Sequence, residues 1–103
     1  MKHLNALHHL ADAYLHEDFV DLYGSAWGAV DMYAREESEY APRLSREIAD
    51  LLATCKSEPE VESALVGLGL CYLPTGDGWA DHRTWLLAVA DRVDQILRTS
   101  PAA

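Results

Sequence analysis

His8, Asp12 and His16 fall at i, i+4 and i+8. On a helix that spacing lays them along one face, with His9 beside them. Imidazoles four residues apart can share a metal ion, as the paired histidines of zinc proteases do. The stretch lacks the HExxH order, and no second cluster completes a tetrahedral shell. A polar, solvated helix face is the preferred reading, with an adventitious metal site or a metal-dependent hydrolase as alternatives. Tyr14-Leu15-His16-Glu17-Asp18 sets a histidine beside two carboxylates, the groups of general acid–base catalysis. That chemistry needs them converging in a cleft, whereas here they crowd a helix end at which Asp18 is a candidate cap. Asp77-Gly78 and Asp81 do not follow the alternating ligands and closing Glu of a calcium loop. The sequence has no GxxxxGK[ST] or GxGxxG loop, and Ser25 has no strand–turn–helix context. No catalytic residue, metal ligand or cofactor follows, and an enzyme is not expected.

The elements that position these residues read as helices almost throughout. Leu4, Leu7, Leu10, Ala11, Tyr14 and Leu15 form one apolar stripe, predicting a first helix that ends around residues 15–17. Asp18 then caps a short turn with Phe19 and Leu22 pointing inward. Gly24 suits a helix stop and Ser25 a new N-cap. A helix follows over about 26–35, with Trp27, Val30 and Ala34 inward and Tyr33 or Met32 flanking. Gly28 weakens it by roughly 1 kcal/mol relative to Ala, and a glycine there suits close approach of another helix. Pro42 fits a first turn, and Leu44, Ile48, Leu51, Leu52 and Cys55 continue at helical spacing. Ser57-Glu58-Pro59-Glu60 reads as a capping box for a helix carrying Val61, Leu65 and Leu68, ended by Gly67 and Gly69. Residues 70–81 form the longest loop, and Asp81 caps a last helix bearing Trp85, Leu86, Val89, Val93, Ile96 and Leu97. The expected fold is all-α, a bundle of four to five short helices. It spans residues 1–98 as one domain, with a frayed tail over 99–103.

Composition narrows the function. Among 103 residues, 17 are acidic and 8 basic, for a formal charge of −9. Direct nucleic-acid binding is not expected, because the phosphate backbone demands clustered Lys and Arg. No apolar run is long enough for a membrane span, and the opening residues show no signal pattern. Cys55 and Cys71 are read as reduced, inert packing thiols, which points to the cytoplasm. The acids are unevenly placed: residues 1–40 hold eight against two basic residues, and residues 57–81 hold five with no base. Such segments serve solubility, or complement a basic partner and speed its encounter. Trp85 and Trp27 belong to predicted inner faces. Trp79, in the loop, either folds back on the core or stands as an interface anchor.

Several motifs together resemble one helical family. These are Tyr14-Leu15-His16-Glu17-Asp18, then Tyr23-Gly24 and Ala29-Val30, then Glu47-Ile48-Ala49-Asp50-Leu51-Leu52. Ser57-Glu58-Pro59-Glu60, Leu68-Gly69-Leu70-Cys71-Tyr72 and Trp85-Leu86 follow in order. Across about residues 4–97 the chain is similar to the small CdiI-type immunity proteins of contact-dependent growth inhibition and related polymorphic toxin systems. One departure is Leu15, where the family has a second aromatic. The resemblance implies a protein that binds and neutralises the C-terminal domain of a cognate toxin, and many such toxins are nucleases. It carries a fold and a role, not an epitope. Charge then nominates Glu17, Asp18, Asp21, Glu58, Glu60, Glu62, Asp77 and Asp81, with Trp79, as residues facing a basic toxin domain bound one-to-one by a monomer. The alternative is a helical adaptor or regulator without toxin specificity.

Overall fold

The apolar stripe of the first helix, from Leu4 to Leu15, is buried along its length in the computed structural model, which describes residues 4–99. The stripe is carried by α1 (Asn5–His9) and by a π-helical turn over Leu10–Tyr14 that continues it. Leu15 N–H donates to Leu10 C=O at 3.0 Å, one residue further back than in an α-helix. Leu15 C=O is then free to accept the Cys71 N–H at 2.9 Å, which docks the long loop onto the end of this helix. Sequence periodicity predicts a regular helix here, because Leu10, Ala11, Tyr14 and Leu15 share a face in either geometry.

Five further α-helices follow: α2 (Phe19–Tyr23), α3 (Ala26–Glu36), α4 (Ala41–Thr54), α5 (Glu58–Gly67) and α6 (His82–Thr99). A 3-10 turn over Pro74–Asp77 lies in the last connection, and no strand occurs among the described residues. The fold is all-α, as the apolar spacing implies. The helix count exceeds the sequence reading by α2, which that reading has as a turn. The tail expected over 99–103 lies outside the described residues beyond Thr99, which closes α6.

The core is built around α6, which packs on α3, α4, α5 and the 3-10 turn, while α1 lies on α4 and α2 on α3. Trp85, Leu86, Val89 and Val93 of α6 meet Val30 and Tyr33 of α3, Leu44, Ile48 and Leu51 of α4, and Val61 and Leu65 of α5 in one apolar cluster. Each such side chain, fully buried, contributes about 1.5–3 kcal/mol relative to exposure. Tyr33 is fully buried and Met32 exposed, which settles the flank of α3. Trp27, expected inward, is only half-buried against the core.

Most expected caps form. Ser25 Oγ accepts the Gly28 N–H at 3.0 Å, and Gly24 (φ +83°) ends α2. Ser57 and Glu60 make the reciprocal capping box of α5. Asp81 Oδ1 accepts the Thr84 N–H at 2.7 Å. Three expectations fail. Asp18 occupies the N-cap position of α2, but its side chain makes no capping bond; its own N–H donates to His16 Nδ1 at 3.0 Å. Leu22 points outward at 61% exposure, because α2 is too short to bury more than the Phe19 and Tyr23 side of its surface. Cys71 is exposed, while Cys55 is buried; both thiols are free.

Three charged side chains close helix ends from distant elements. Glu47, buried in α4, accepts the N–H groups of Ala6 at 3.2 Å and Leu7 at 2.9 Å, the open end of α1. Arg83 Nη2 donates to the carbonyls of Leu52 and Cys55 at the end of α4. Glu58 accepts the His82 N–H at the start of α6, and its carboxylate lies 2.5 Å from His82 Nδ1. Helix ends leave unpaired N–H and C=O groups that must find partners when buried.

Candidate functional site

Trp27 on the first turn of α3 and Trp79 after the 3-10 turn meet edge to face, their centroids 5.9 Å apart at 84°. Together with Ser25, Ala26, Tyr72, Asp77 and Trp85 they line a cleft of about 280 Å³. Each wall has a local cause. The Gly24 turn and Ser25 cap start α3 so that Trp27 falls at the rim. Pro74, with its fixed φ, opens the 3-10 turn, and Gly78 (φ +91°) closes it in the left-handed region. The Trp79 N–H then bonds back to Pro74 C=O at 3.3 Å, which folds the indole over the cleft. Trp79 is therefore half-buried, folded back against the edge of the core and edge-on to Trp27.

Two polar side chains of the cleft pair with each other. The Tyr72 hydroxyl donates to Asp77 Oδ2 at 2.6 Å. Burial, and then this carboxylate, push the Tyr72 phenol well above its usual range. The Tyr72 ring lies 5.2 Å from Trp85 and, edge-on, 5.6 Å from Phe19 of α2. Arg92 of α6 stands over the Trp27 ring at 5.2 Å. Its guanidinium forks onto Asp31 at 2.6 and 2.7 Å. That pair holds Asp31 below the ordinary carboxylate range and raises Arg92.

The nine residues nominated from charge separate into three groups. Asp77 and Trp79 form part of the cleft. Glu17 and Asp18, in the turn after the π-helical segment, and Asp21 on α2 are exposed, and the Phe19–Tyr72 contact ties α2 to the cleft wall. On α5 and its neighbour, Glu62 is exposed, whereas Glu58, Glu60 and Asp81 serve helix caps within the fold. Glu60 and Asp81 are held below their usual range, by Ser57 and Thr84 respectively.

The histidine-bearing face does not assemble. His8 and Asp12 are exposed, and with Asn5, His9 and Tyr40 they line a separate hollow of about 150 Å³. The wider turn over Leu10–Tyr14 breaks the period on which the alignment of His8, Asp12 and His16 rests. Among the described residues no three Cys, His, Asp or Glu side chains converge as metal ligands would.

Two further polar clusters have little signal in the sequence. The Tyr14 hydroxyl lies 2.7 Å from the carboxylates of both Glu36 and Glu37, and His9 Nε2 lies 3.0 Å from Glu37. Burial foremost, then the carboxylates, raise the Tyr14 phenol; the Tyr14 hydroxyl, then His9, lower Glu37. The Tyr33 hydroxyl donates to Ala6 C=O at 2.9 Å, beside the N–H groups that Glu47 takes. For Glu47 a signal existed: it falls between Leu44 and Ile48 on the apolar stripe of α4.

No curated protein and no solved structure matches the chain. The family model described as CdiI immunity protein matches residues 3–93, and the chain belongs to that family.

Proposed function

From membership in the CdiI immunity family we propose that this protein neutralises a cognate toxin by binding its C-terminal domain, one-to-one and without catalysis. The family match over nearly the whole chain carries this reading. The toxin domain is basic and acts on nucleic acid. An inhibitor of formal charge −9 complements the surface such an enzyme presents to phosphates, and gains association rate from the attraction. The toxin-facing surface is the cleft with Asp77 and Trp79, flanked by Glu17, Asp18 and Asp21, with Glu62 contributing to the long-range field. Glu58, Glu60 and Asp81 act mainly by fixing the ends of α5 and α6. The encounter takes place in the cytoplasm, where the delivered toxin acts. Among the described residues no helix is long and apolar enough to cross a membrane.

The test is calorimetry against the C-terminal domain encoded by the gene immediately upstream. Binding with a Kd around the nanomolar range, at one equivalent, is expected. It should be absent for an unrelated toxin domain, and its on-rate should fall as salt rises. No binding at low salt would overturn the proposal and favour a general helical adaptor.

A further inference from the structure

Four aromatic side chains and one carboxylate line the cleft between α3, the 3-10 turn and α6, and no Lys or Arg is among its walls. Aromatic faces attract cations through their quadrupole, most strongly where water is excluded, and a carboxylate at the same place neutralises the charge that enters. Asp77 has given one oxygen to Tyr72, and an ionised carboxylate can accept several further bonds. The chain already shows that this aromatic wall takes a guanidinium, because Arg92 stands over Trp27 while its fork is held by Asp31. The base nearest this wall, Arg92, has its charge offset by the Asp31 carboxylate. The segment over 57–81 that supplies Tyr72, Asp77 and Trp79 contains no Lys or Arg, nor does the stretch from His3 to Ala34 that supplies Trp27.

We propose that the cleft is an anchor pocket for one arginine side chain of the toxin domain, its guanidinium against the Trp79 and Trp27 rings and hydrogen-bonded to Asp77. Arginine suits it better than lysine, being planar, more weakly hydrated and able to fork onto a carboxylate. This inference rests on the toxin-binding reading and adds the chemistry of one contact. The exposed acids steer the encounter, whereas the pocket sets how long the complex lives.

The experiment uses the full chain and the upstream-encoded toxin domain, with association and dissociation rates measured for four variants whose melting temperatures match the parent. Asp77→Asn keeps the acceptor for Tyr72 and removes the charge. Trp79→Leu keeps apolar bulk and removes the ring, whereas Trp79→Phe keeps a ring. Asp21→Asn is the steering control. The first two should raise the dissociation rate about tenfold, Trp79→Phe much less, and Asp21→Asn should act on association alone. Should either Asp77→Asn or Trp79→Leu fail to fold, arginine-to-lysine and arginine-to-alanine substitutions in the toxin domain, measured against the parent inhibitor, supply the same readout. One arginine of the toxin should couple to Trp79 in a double-mutant cycle. Tight binding with unchanged dissociation in Asp77→Asn and Trp79→Leu, or no coupled arginine, would overturn the pocket and leave the immunity role standing. Absence of any binding by the parent would overturn both.

Discussion

At Glu47 a carboxylate sits 6% exposed on the inner stripe of α4, where an apolar side chain would be expected. It stays there because it has work no neighbour can do: α1 begins without a local side-chain cap, and Glu47 takes two of its open N–H groups across 41 and 40 residues of sequence. A buried donor left unsatisfied costs about 1–3 kcal/mol. Glu47→Ala should therefore lower stability by about 3 kcal/mol in urea denaturation, with Glu47→Gln losing less because its single oxygen can still accept. Tyr33→Phe, which removes one of two bonds to the Ala6 carbonyl and leaves that of the Leu10 N–H, should cost about 1 kcal/mol. Equal losses for Glu47→Ala and Tyr33→Phe would deny the cap its role. The stripe made Glu47 visible in the sequence, but its partners were not, since only the packing of α1 on α4 brings them together. Acid should expose the other carboxylates that the fold engages. Asp31, Glu37, Glu60 and Asp81 are all lowered in the folded protein, so the unfolded chain binds more protons at acidic pH. Their stabilisation is complete above the unfolded carboxylate pKa of about 4 and is lost as pH falls through the folded values. The melting temperature should change little from pH 7 to about 5 and drop below about pH 4; a drop already complete by pH 5 would contradict this.

Gly28 shows how an element's internal preference and its neighbours can disagree. It lies inside α3, where replacing glycine by alanine gains roughly 1 kcal/mol of helix propensity. A Cβ at that position would stand 2.1 Å from the backbone carbonyl oxygen of Tyr23, at the end of α2. Backbone cannot swing aside, so α2 and the Gly24 turn would have to move. Gly28→Ala should destabilise the protein, by about 2 kcal/mol or more, and loosen the Tyr14–Tyr23 stacking at 5.5 Å. Thermal melts and near-ultraviolet circular dichroism check this, and a more stable variant would show that α2 is not held there. The sequence suggested a close approach at Gly28, and the neighbour proves to be the end of the preceding helix. Helix faces were legible wherever a 3.6 period ran for three turns or more, as in α4 and α6. Short elements were not. The five residues of α2 offer too few positions for a period, so Leu22 was misplaced. The π-helical turn was hidden because it leaves the buried set of the first helix unchanged. Of the cleft, Asp77 and Trp79 could be named from charge and loop position. Their grouping with Trp27 and Tyr72 depends on how α3, the loop and α6 meet.

Charge is a property of the whole chain, and it should act in opposite directions on folding and on binding. The acidic excess of residues 1–40 and 57–81 is carried in large part by α2, α3, α5 and the loop, of which α3, α5 and the 3-10 turn all pack on α6 and α2 on α3, so the compact state holds negative charge closer together than the unfolded chain does. Such self-repulsion opposes the compact state, and salt relieves it, with a screening length of about 10 Å at 0.1 M. Salt also weakens internal pairs, but those among the described residues are few, and each has a partner about a third or more exposed, where a pair is worth about 1 kcal/mol or less. The free protein should thus melt a few degrees higher in about 0.5 M sodium chloride than in about 0.02 M. The association rate with a basic toxin domain should fall about tenfold or more over the same range, because screening removes the attraction that steers encounter. Differential scanning fluorimetry and stopped-flow fluorescence from the tryptophans of the cleft would measure the two. A fall in stability with salt would instead show that internal ion pairs outweigh self-repulsion in the free protein, whatever the association rate does. An association rate indifferent to salt would remove steering as the reason for the acidic surface, and would leave solubility as what that charge provides.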